Sequence, residues 1–369
     1  MRLLPNGVSF ISRIQPNPRI GSVKHRWRDP SAGDFMKILL TGGAGFIGSH
    51  VLERLLRDRH QVEVIDNLCD FYSPALKLRN LADARVAGEF VFHHIDICDG
   101  SSVCAVFAAF KPEIVVHVAA EAGLRRSLLD PLRYETTNVQ GTLTLLEACK
   151  DLSVRKFIFA SSSSVYGSTN QIPFREEDER LYPLSPYAAT KLACEKLCYV
   201  YAHNYNLSSI CLRLFTVYGP RQRPDLAIRK FLEQTEAGAR LTIFGDGSSS
   251  RDYTFVDDVV DGICKAVHYE SNFDIFNLGN ARPISLADVI AVIEDAVGKK
   301  ASIRTRAWHA SEAHMTFACI DKARKLLGYN PQTPFNEGIR RSLVWLRQAG
   351  RFVPSKSQPP LQDRGATII

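Results

Sequence analysis

Residues 36–50, "MKILLTGGAGFIGSH", constrain this chain more tightly than any other stretch. An aliphatic run over 37–41 leads straight into Gly42, Gly45 and Gly48, and the last of these already lies inside an amphipathic helical pattern over 46–58. Glycines at this spacing let a strand turn sharply into a helix. They also admit a pyrophosphate close to the backbone and allow helix and strand to pack without side chains between them. The helix N-terminus, with its unpaired N–H groups, then favours the negative charge.

A glycine triplet alone is a weak signal, and its surroundings strengthen it. Short apolar runs at 37–41, 61–66, 89–96, 113–119, 156–161 and 208–215 read as strands, separated by helical stretches such as 46–58 and 134–150. That alternation predicts an α/β fold, a Rossmann-type doubly wound parallel sheet with helices on both faces. The second strand ends in Asp66, eighteen residues after Gly48. A carboxylate there accepts both ribose hydroxyls of NAD and repels the 2′-phosphate of NADP. Asn67 rather than an arginine follows, so NAD is the expected cofactor. The competing reading of Asp66 is a cap on the strand's exit turn. Phe46 and Ile47 at the helix opening, Asp96 and Ile97 after the third strand, and Ala119 at the end of the fourth are the other expected cofactor contacts.

Beyond about residue 220 the rhythm loosens. "GPRQRPD" and "GDGSSSRD" are rich in turn formers, and helical patterns recur at 256–269, 285–298 and 335–348. The division expected is an NAD-binding domain over 36–215 and a smaller, mainly substrate-binding lobe over 216–348 that partly returns to the first. Residues 1–35 read as a disordered extension and 349–369 as a flexible tail. The 369 residues, 45% apolar and 23% charged, suffice for a sizeable core.

Lysine and arginine number 46 against 39 acids, but residues 1–35 hold six of those bases and two of the acids, leaving 40 against 37. So even a balance excludes a nucleic-acid-coating surface. No apolar run approaches the roughly 20 residues of a membrane span. The nine cysteines are scattered, without CxxC pairs or histidines at zinc spacing, which predicts reduced thiols in a cytoplasmic protein and no metal site.

The chemistry concentrates in "SPYAATK", 185–191. Ser185 as N-cap and Pro186 at the first helical position start a helix, placing Tyr187 and Lys191 four apart on one face. A tyrosine, with a reference pKa of about 10, is a poor base unless positive neighbours favour the phenolate. A nearby ammonium, the helix N-terminus and the nicotinamide ring are the expected ones. Tyrosine and lysine share a helical face by chance in many proteins. Here "ASSSSVYG" (160–167) follows the fifth strand, where a doubly wound sheet exposes side chains beside a dinucleotide. That context favours a hydroxyl-deprotonating pair with a substrate-orienting serine.

From Lys37 to about residue 348 the chain resembles the extended short-chain dehydrogenase/reductases of the nucleotide-sugar epimerase and dehydratase group. "DNLCDFYSPALKLRNL", "ASSSSVYG", "SPYAATK" and "LFTVYGPRQRPDLA" are most similar to the UDP-glucuronate 4-epimerases. The resemblance implies a catalytic set of Ser162, Tyr187 and Lys191, with Tyr187 and Lys191 also contacting cofactor and Asn138 near the nicotinamide ribose. It further implies a UDP-sugar substrate, UDP-glucuronate favoured, and a homodimer.

Dehydratases of the group carry Asp-Glu, and decarboxylases a Glu, just before "VYG"; Ser163 and Ser164 stand there. Galactose-type epimerases usually place Asn where Thr216 is. The resemblance assigns the sugar's surroundings to Ser161, Ser162, Ser163, Thr216 and Arg223, and the diphosphate to Arg251, with Asp252 beside it either ligand or scaffold. Arg223 reads equally as a carboxylate partner and as a solvated loop arginine. The pattern departs from the group at His309, where a nucleotide-gripping Arg or Gln is expected, and at Glu121, which replaces a common Gln and either alters sugar preference or faces solvent. UDP-galactose 4-epimerase, UDP-glucuronate decarboxylase and a non-catalytic NAD-binding regulator are the rival readings; the retained Tyr187 and Lys191 speak against the last.

Overall fold

The computed structural model describes residues 26–27, 35–167, 171–307 and 313–349. The first element is a two-residue strand, β1 (Arg26–Trp27). The nucleotide-end units follow as β2 (Lys37–Thr41), α1 (Phe46–Arg57), β3 (Gln61–Asp66), α2 (Pro74–Ala84), β4 (Val91–His94), α3 (Gly100–Phe110) and β5 (Ile114–His117). Two short helices, α4 (Leu124–Leu129) and α5 (Pro131–Tyr134), lead through a π-helical turn, Glu135–Gln140, into α6 (Gly141–Asp151). Then come β6 (Lys156–Ser162), α7 (Pro186–Tyr205) and β7 (Ser208–Leu214). The remainder runs β8 (Thr216–Tyr218), α8 (Ala227–Glu236), β9 (Arg240–Phe244), β10 (Ser250–Phe255), α9 (Val256–His268), β11 (Tyr269–Glu270), β12 (Phe273–Leu278) and β13 (Pro283–Ser285). It closes with α10 (Leu286–Val297), β14 (Ser302–Arg306), α11 (Asp321–Leu327) and α12 (Phe335–Ala349).

Seven parallel strands form the central sheet in the order β12-β7-β6-β5-β2-β3-β4. The expected Rossmann-type doubly wound sheet is thus present. Its strands read as continuous apolar runs because both faces are covered. Alternate residues separate into two cores, as the two-residue period of a strand requires. Ile38, Leu40, Val62, Val64, Val116 and Ile158 point to one face, while Leu39, Ile65, Val115, Phe157 and Phe159 point to the other. On the first face α1 packs with α9; on the second α3, α6 and α7 pack together.

The chain order reverses between β2 and β5, opening a crevice at the carboxyl ends of the strands, where doubly wound sheets bind ligands. Small sheets built from β8, β10 and β13, and from β9 and β14, make the far wall. The first core continues into this wall through Leu241, Ile243, Val289 and Ile293. The central sheet takes its seventh strand from well beyond residue 215, since β12 pairs with β7. Arg26 and Trp27 pair antiparallel with Glu270 and Tyr269. The rest of that segment up to residue 34, the tail from 350 and His309 lie outside the described residues.

Candidate active site

At the amino end of α1 the glycines do what their spacing requires. Gly42 has φ +75°, and a Cβ on it would lie 2.6 Å from the Ala119 amide nitrogen; one on Gly48 would lie 2.0 Å from the Gly42 carbonyl. Helix α1 starts at Gly45 without a side-chain cap and has no acid in its first turn, leaving its N–H groups to an anion. The Gly42, Gly45, Phe46, Ile47, Gly48, Ile97 and Ala119 positions all line a cleft of about 1970 Å³.

Asp66 sits at the exit of β3, buried, its Oδ2 accepting from the Ala44 amide at 3.1 Å and its Oδ1 from Leu68 at 2.8 Å. Each oxygen keeps a lone pair for a ribose hydroxyl. A cation absent from the sequence reading lies beside it: Lys77 Nζ is 3.9 Å from Asp66 Oδ1 and donates to Cys69 Sγ at 3.1 Å. Asn80, one helical turn further along α2, donates to the Ala44 carbonyl and steadies the glycine loop. Hydrophobic periodicity hides both residues, because α2 buries them among apolar neighbours. Asn67 lines the cleft and donates its amide to Asp96 Oδ2, whose other oxygen accepts from Cys98 N–H. Asp96 therefore ties two strand exits together and is a step removed from the cleft, while Ile97 beside it forms the wall. The glycine cradle, a free helix N-terminus and Asp66 together fit an NAD molecule.

Across the cleft, Ser185 accepts from the Ala188 amide at 3.2 Å and Pro186 occupies the first turn of α7. Tyr187 and Lys191 both face the cleft. Ser162 lines the same cleft, and its oxygen accepts from the Ser164 amide and hydroxyl at 3.1 and 2.9 Å. Lys191 donates to the Ala160 carbonyl at 2.8 Å and lies over the Phe159 ring. Burial raises the Tyr187 pKa, while Ser162 and the Arg223 charge pull it down. The charge that lowers the phenol here is the Arg223 guanidinium. Burial drops Lys191 itself to about 8, because desolvation disfavours its charged form.

Two polar side chains of this region are taken up by other residues of the chain. The Asn138 amide is satisfied internally. Its Oδ1 accepts from the Glu121 amide at 2.9 Å and its Nδ2 donates to the Glu121 carbonyl and to Thr190 Oγ1, both at 3.0 Å. The π-helical turn carrying Asn138 aims it inward, as a bracket between the 119–123 loop and α7. Ser161 lines the cleft and its hydroxyl donates to Glu195 at 2.6 Å. Glu195, on the buried side of α7, is held bidentately by buried Arg213 at 2.9 and 2.8 Å. Glu195 follows Lys191 by four residues, a spacing that carried the only sequence signal for this pair.

At the sugar end, Ser162, Ser163 and Ser164 line the cleft together with Thr216, the first residue of β8. Arg223 is no solvated loop arginine: it lines the cleft, stacks over Phe71 at 4.5 Å and is mostly buried. Arg251, on β10, also lines the cleft and donates to the carbonyls of Ser250 and His314 at 3.0 and 3.1 Å. Asp252 takes the scaffold alternative, accepting from the Asn280, Ala281 and Ala318 amides at 2.6, 3.0 and 3.0 Å. Glu121 is buried on the cleft wall, where Arg133 grips its Oε1 at 2.9 and 2.7 Å. Among the described residues no cluster of metal-ligating side chains occurs and no helix is long and apolar enough to cross a membrane. All nine cysteines are free.

Residues 38–279 match the model of the NAD dependent epimerase/dehydratase family. A UDP-glucuronate 4-epimerase of Thermodesulfobacterium geofontis is 40% identical over 318 residues, covering 86% of this chain and 98% of that protein. The crystal structure of UDP-glucuronic acid 4-epimerase from Bacillus cereus, in complex with UDP-glucuronic acid and NAD, superposes with a TM-score of 0.80 at 37% identity, over 85% of this chain and 99% of that one. A UDP-glucose 4-epimerase of Thermotoga maritima with UDP-glucose gives 0.79 at 32% identity, over 85% and 99%. With the strand order, the glycine cradle and the Tyr187–Lys191 helix already in place, these matches put the chain in the NAD dependent epimerase/dehydratase family.

Proposed function

We infer that this chain is an NAD-dependent UDP-sugar 4-epimerase, and we propose that it interconverts UDP-glucuronate and UDP-galacturonate. The observation that carries this reading is that Tyr187, Lys191 and Ser162 line one cleft with the glycine cradle of Gly42, Gly45 and Gly48. NAD, when bound along that cradle and Asp66, supplies a reversible two-electron acceptor at the sugar's C4.

The chain's own residues do the rest. Tyr187 takes the proton of the 4-hydroxyl, and Ser162, on the same cleft, orients the reacting oxygen. Lys191, anchored on Ala160, reaches the cofactor ribose. Arg251 holds the diphosphate about which the 4-keto sugar turns, so that the opposite face of C4 would meet the cofactor and the configuration is inverted, while Tyr187 returns the proton to the C4 oxygen. Oxidising a uronate at C4 makes a β-keto acid prone to losing carbon dioxide, so the carboxylate must be held. Thr216, Ser163 and Arg223 line the cleft suitably for this, and no acid stands at Ser163 or Ser164 to protonate C5. Relatives named for UDP-glucuronate support the choice.

Purified protein incubated with UDP-glucuronate and followed by proton NMR tests it. The expected outcome is UDP-galacturonate. Release of carbon dioxide with a UDP-pentose, or turnover confined to UDP-glucose and UDP-galactose, replaces the reading with one of its rivals. We also propose a homodimer formed through the outward faces of α6 and α7, where Leu143, Tyr199 and Val200 are exposed on adjacent helices.

A further inference from the structure

The Arg223 fork is already occupied. Its Nε donates to Asp225 Oδ1 at 3.0 Å and its Nη2 to Asp225 Oδ2 at 2.7 Å, the parallel two-bond geometry by which arginine takes any carboxylate. Nη2 also donates to the Ala122 carbonyl at 3.0 Å. Nη1 makes no hydrogen bond to a described residue. The loop is stapled on either side: Gln222 Nε2 donates to the Val217 carbonyl at 3.0 Å, and Arg229 donates to the Gln222 carbonyl at 2.7 Å. Asp225 is thus an aspartate carboxylate sitting where the carboxylate of a uronate would be gripped. Its side chain is about one-third exposed, at 33%, against 14% for Arg223.

That difference in exposure sets which partner can leave. An arginine stacked on Phe71 inside the cleft is costly to leave without an anion, whereas Asp225 reaches water and is released at little cost. A sugar that turns over between its two half-reactions cannot keep its C5 carboxylate on one fixed guanidinium throughout. Some other anion must take the guanidinium while the sugar is in transit.

We propose that Asp225 is the exchange partner of the sugar carboxylate: it holds the Arg223 fork in the free protein, yields it to an incoming uronate at the open Nη1 side, and takes it back when the sugar turns or leaves. This rests on the reading of Arg223 as the uronate's partner. Asp225 is a positioning and specificity residue, with no contact to the reacting atoms. Burial pushes its carboxyl up, but the bonds from Arg223 and the charge of Arg126 outweigh that and keep it ionised, as the exchange needs.

The test uses NAD-loaded protein carrying Tyr187→Phe, which binds without turning over, with and without Asp225→Asn. Calorimetry with UDP-glucuronate is expected to show about tenfold tighter binding for Asp225→Asn, the difference between displacing charged and neutral hydrogen-bond partners. UDP-glucose affinity is expected to change by less than about twofold, because a neutral sugar displaces nothing. With Tyr187 intact, Asp225→Asn is expected to lower kcat and KM together, since the carboxylate is held too firmly to turn. Asp225→Ser, measured in parallel, is expected to change affinity in the same direction.

Weaker UDP-glucuronate binding in both variants makes Asp225 a mere prop for Arg223 and overturns the proposal, as does equal tightening of both nucleotides. Arg223→Ala separates the two levels. A selective loss of UDP-glucuronate affinity keeps the uronate reading whatever Asp225 does; an equal loss for both sugars removes that reading and the exchange with it.

Discussion

Tyr187 is a phenol whose burial works against the ionised form it must adopt, and Ser162 and Arg223 work for it. General-base contributions are typically ~10²- to 10⁴-fold, so Tyr187→Phe is expected to cut epimerisation by at least about a hundredfold while bound NAD, read by absorbance after denaturation, stays at the wild-type level. Wild-type turnover in that variant removes Tyr187 as the base. Lys191 makes a different prediction. Its folded pKa is about 8, below the ordinary lysine value of 10.5, so between those limits the unfolded chain binds more protons than the folded one. Stability then rises with pH across that window and is lost as pH falls through it. The melting temperature of wild type relative to Lys191→Met is therefore expected to climb from pH 8 to pH 10. A flat difference means that the amine is better solvated than its burial indicates. Glu121 shows why single residues were only partly legible: its identity was plain in the sequence, but the partner that takes its charge, Arg133, comes from α5.

At the scale of elements, α7 carries the catalytic geometry from one end. Ser185 closes the first turn by accepting from Ala188, and Tyr187 stands two residues inside. Ser185→Ala is expected to destabilise the protein by about 1 kcal/mol, a typical N-cap loss, measurable by urea titration. It should also lower kcat more than it raises KM, because the frayed turn moves the phenol and leaves the nucleotide contacts in place; a change in KM alone counts against that. Strands and helices of the first half were legible because parallel strands buried on both faces are continuous apolar runs with turn formers between them. The π-helical turn Glu135–Gln140 was not, since no pattern in "ETTNVQ" distinguishes it from the helices it joins. That turn rotates Asn138 away from the cleft and into the Glu121 loop. Burial likewise hid the function of Glu195: its partner Arg213 comes from β7, on another element altogether.

The molecule as a whole is a parallel sheet with a second wall joined to it by one shared core, and the cleft lies between them. The proposed homodimer places its seam on the outer α6–α7 face. Val200→Glu, at a position that is 43% exposed, is expected to convert a dimer to a monomer of unchanged fold, read by light scattering and circular dichroism. A wild-type monomer in the same measurement rules the homodimer out.

The glycine spacing, the Asp66 position and the Ser185–Lys191 stretch fixed the sheet's chemistry from the sequence, because each is a local device whose parts lie within one turn or one strand exit. Which charge tunes Tyr187, which carboxylate occupies Arg223 and which way Asn138 and Ser161 point were settled only in three dimensions. Those outcomes depend on contacts between elements far apart in the chain, and a buried polar group takes whichever partner the packing brings within reach.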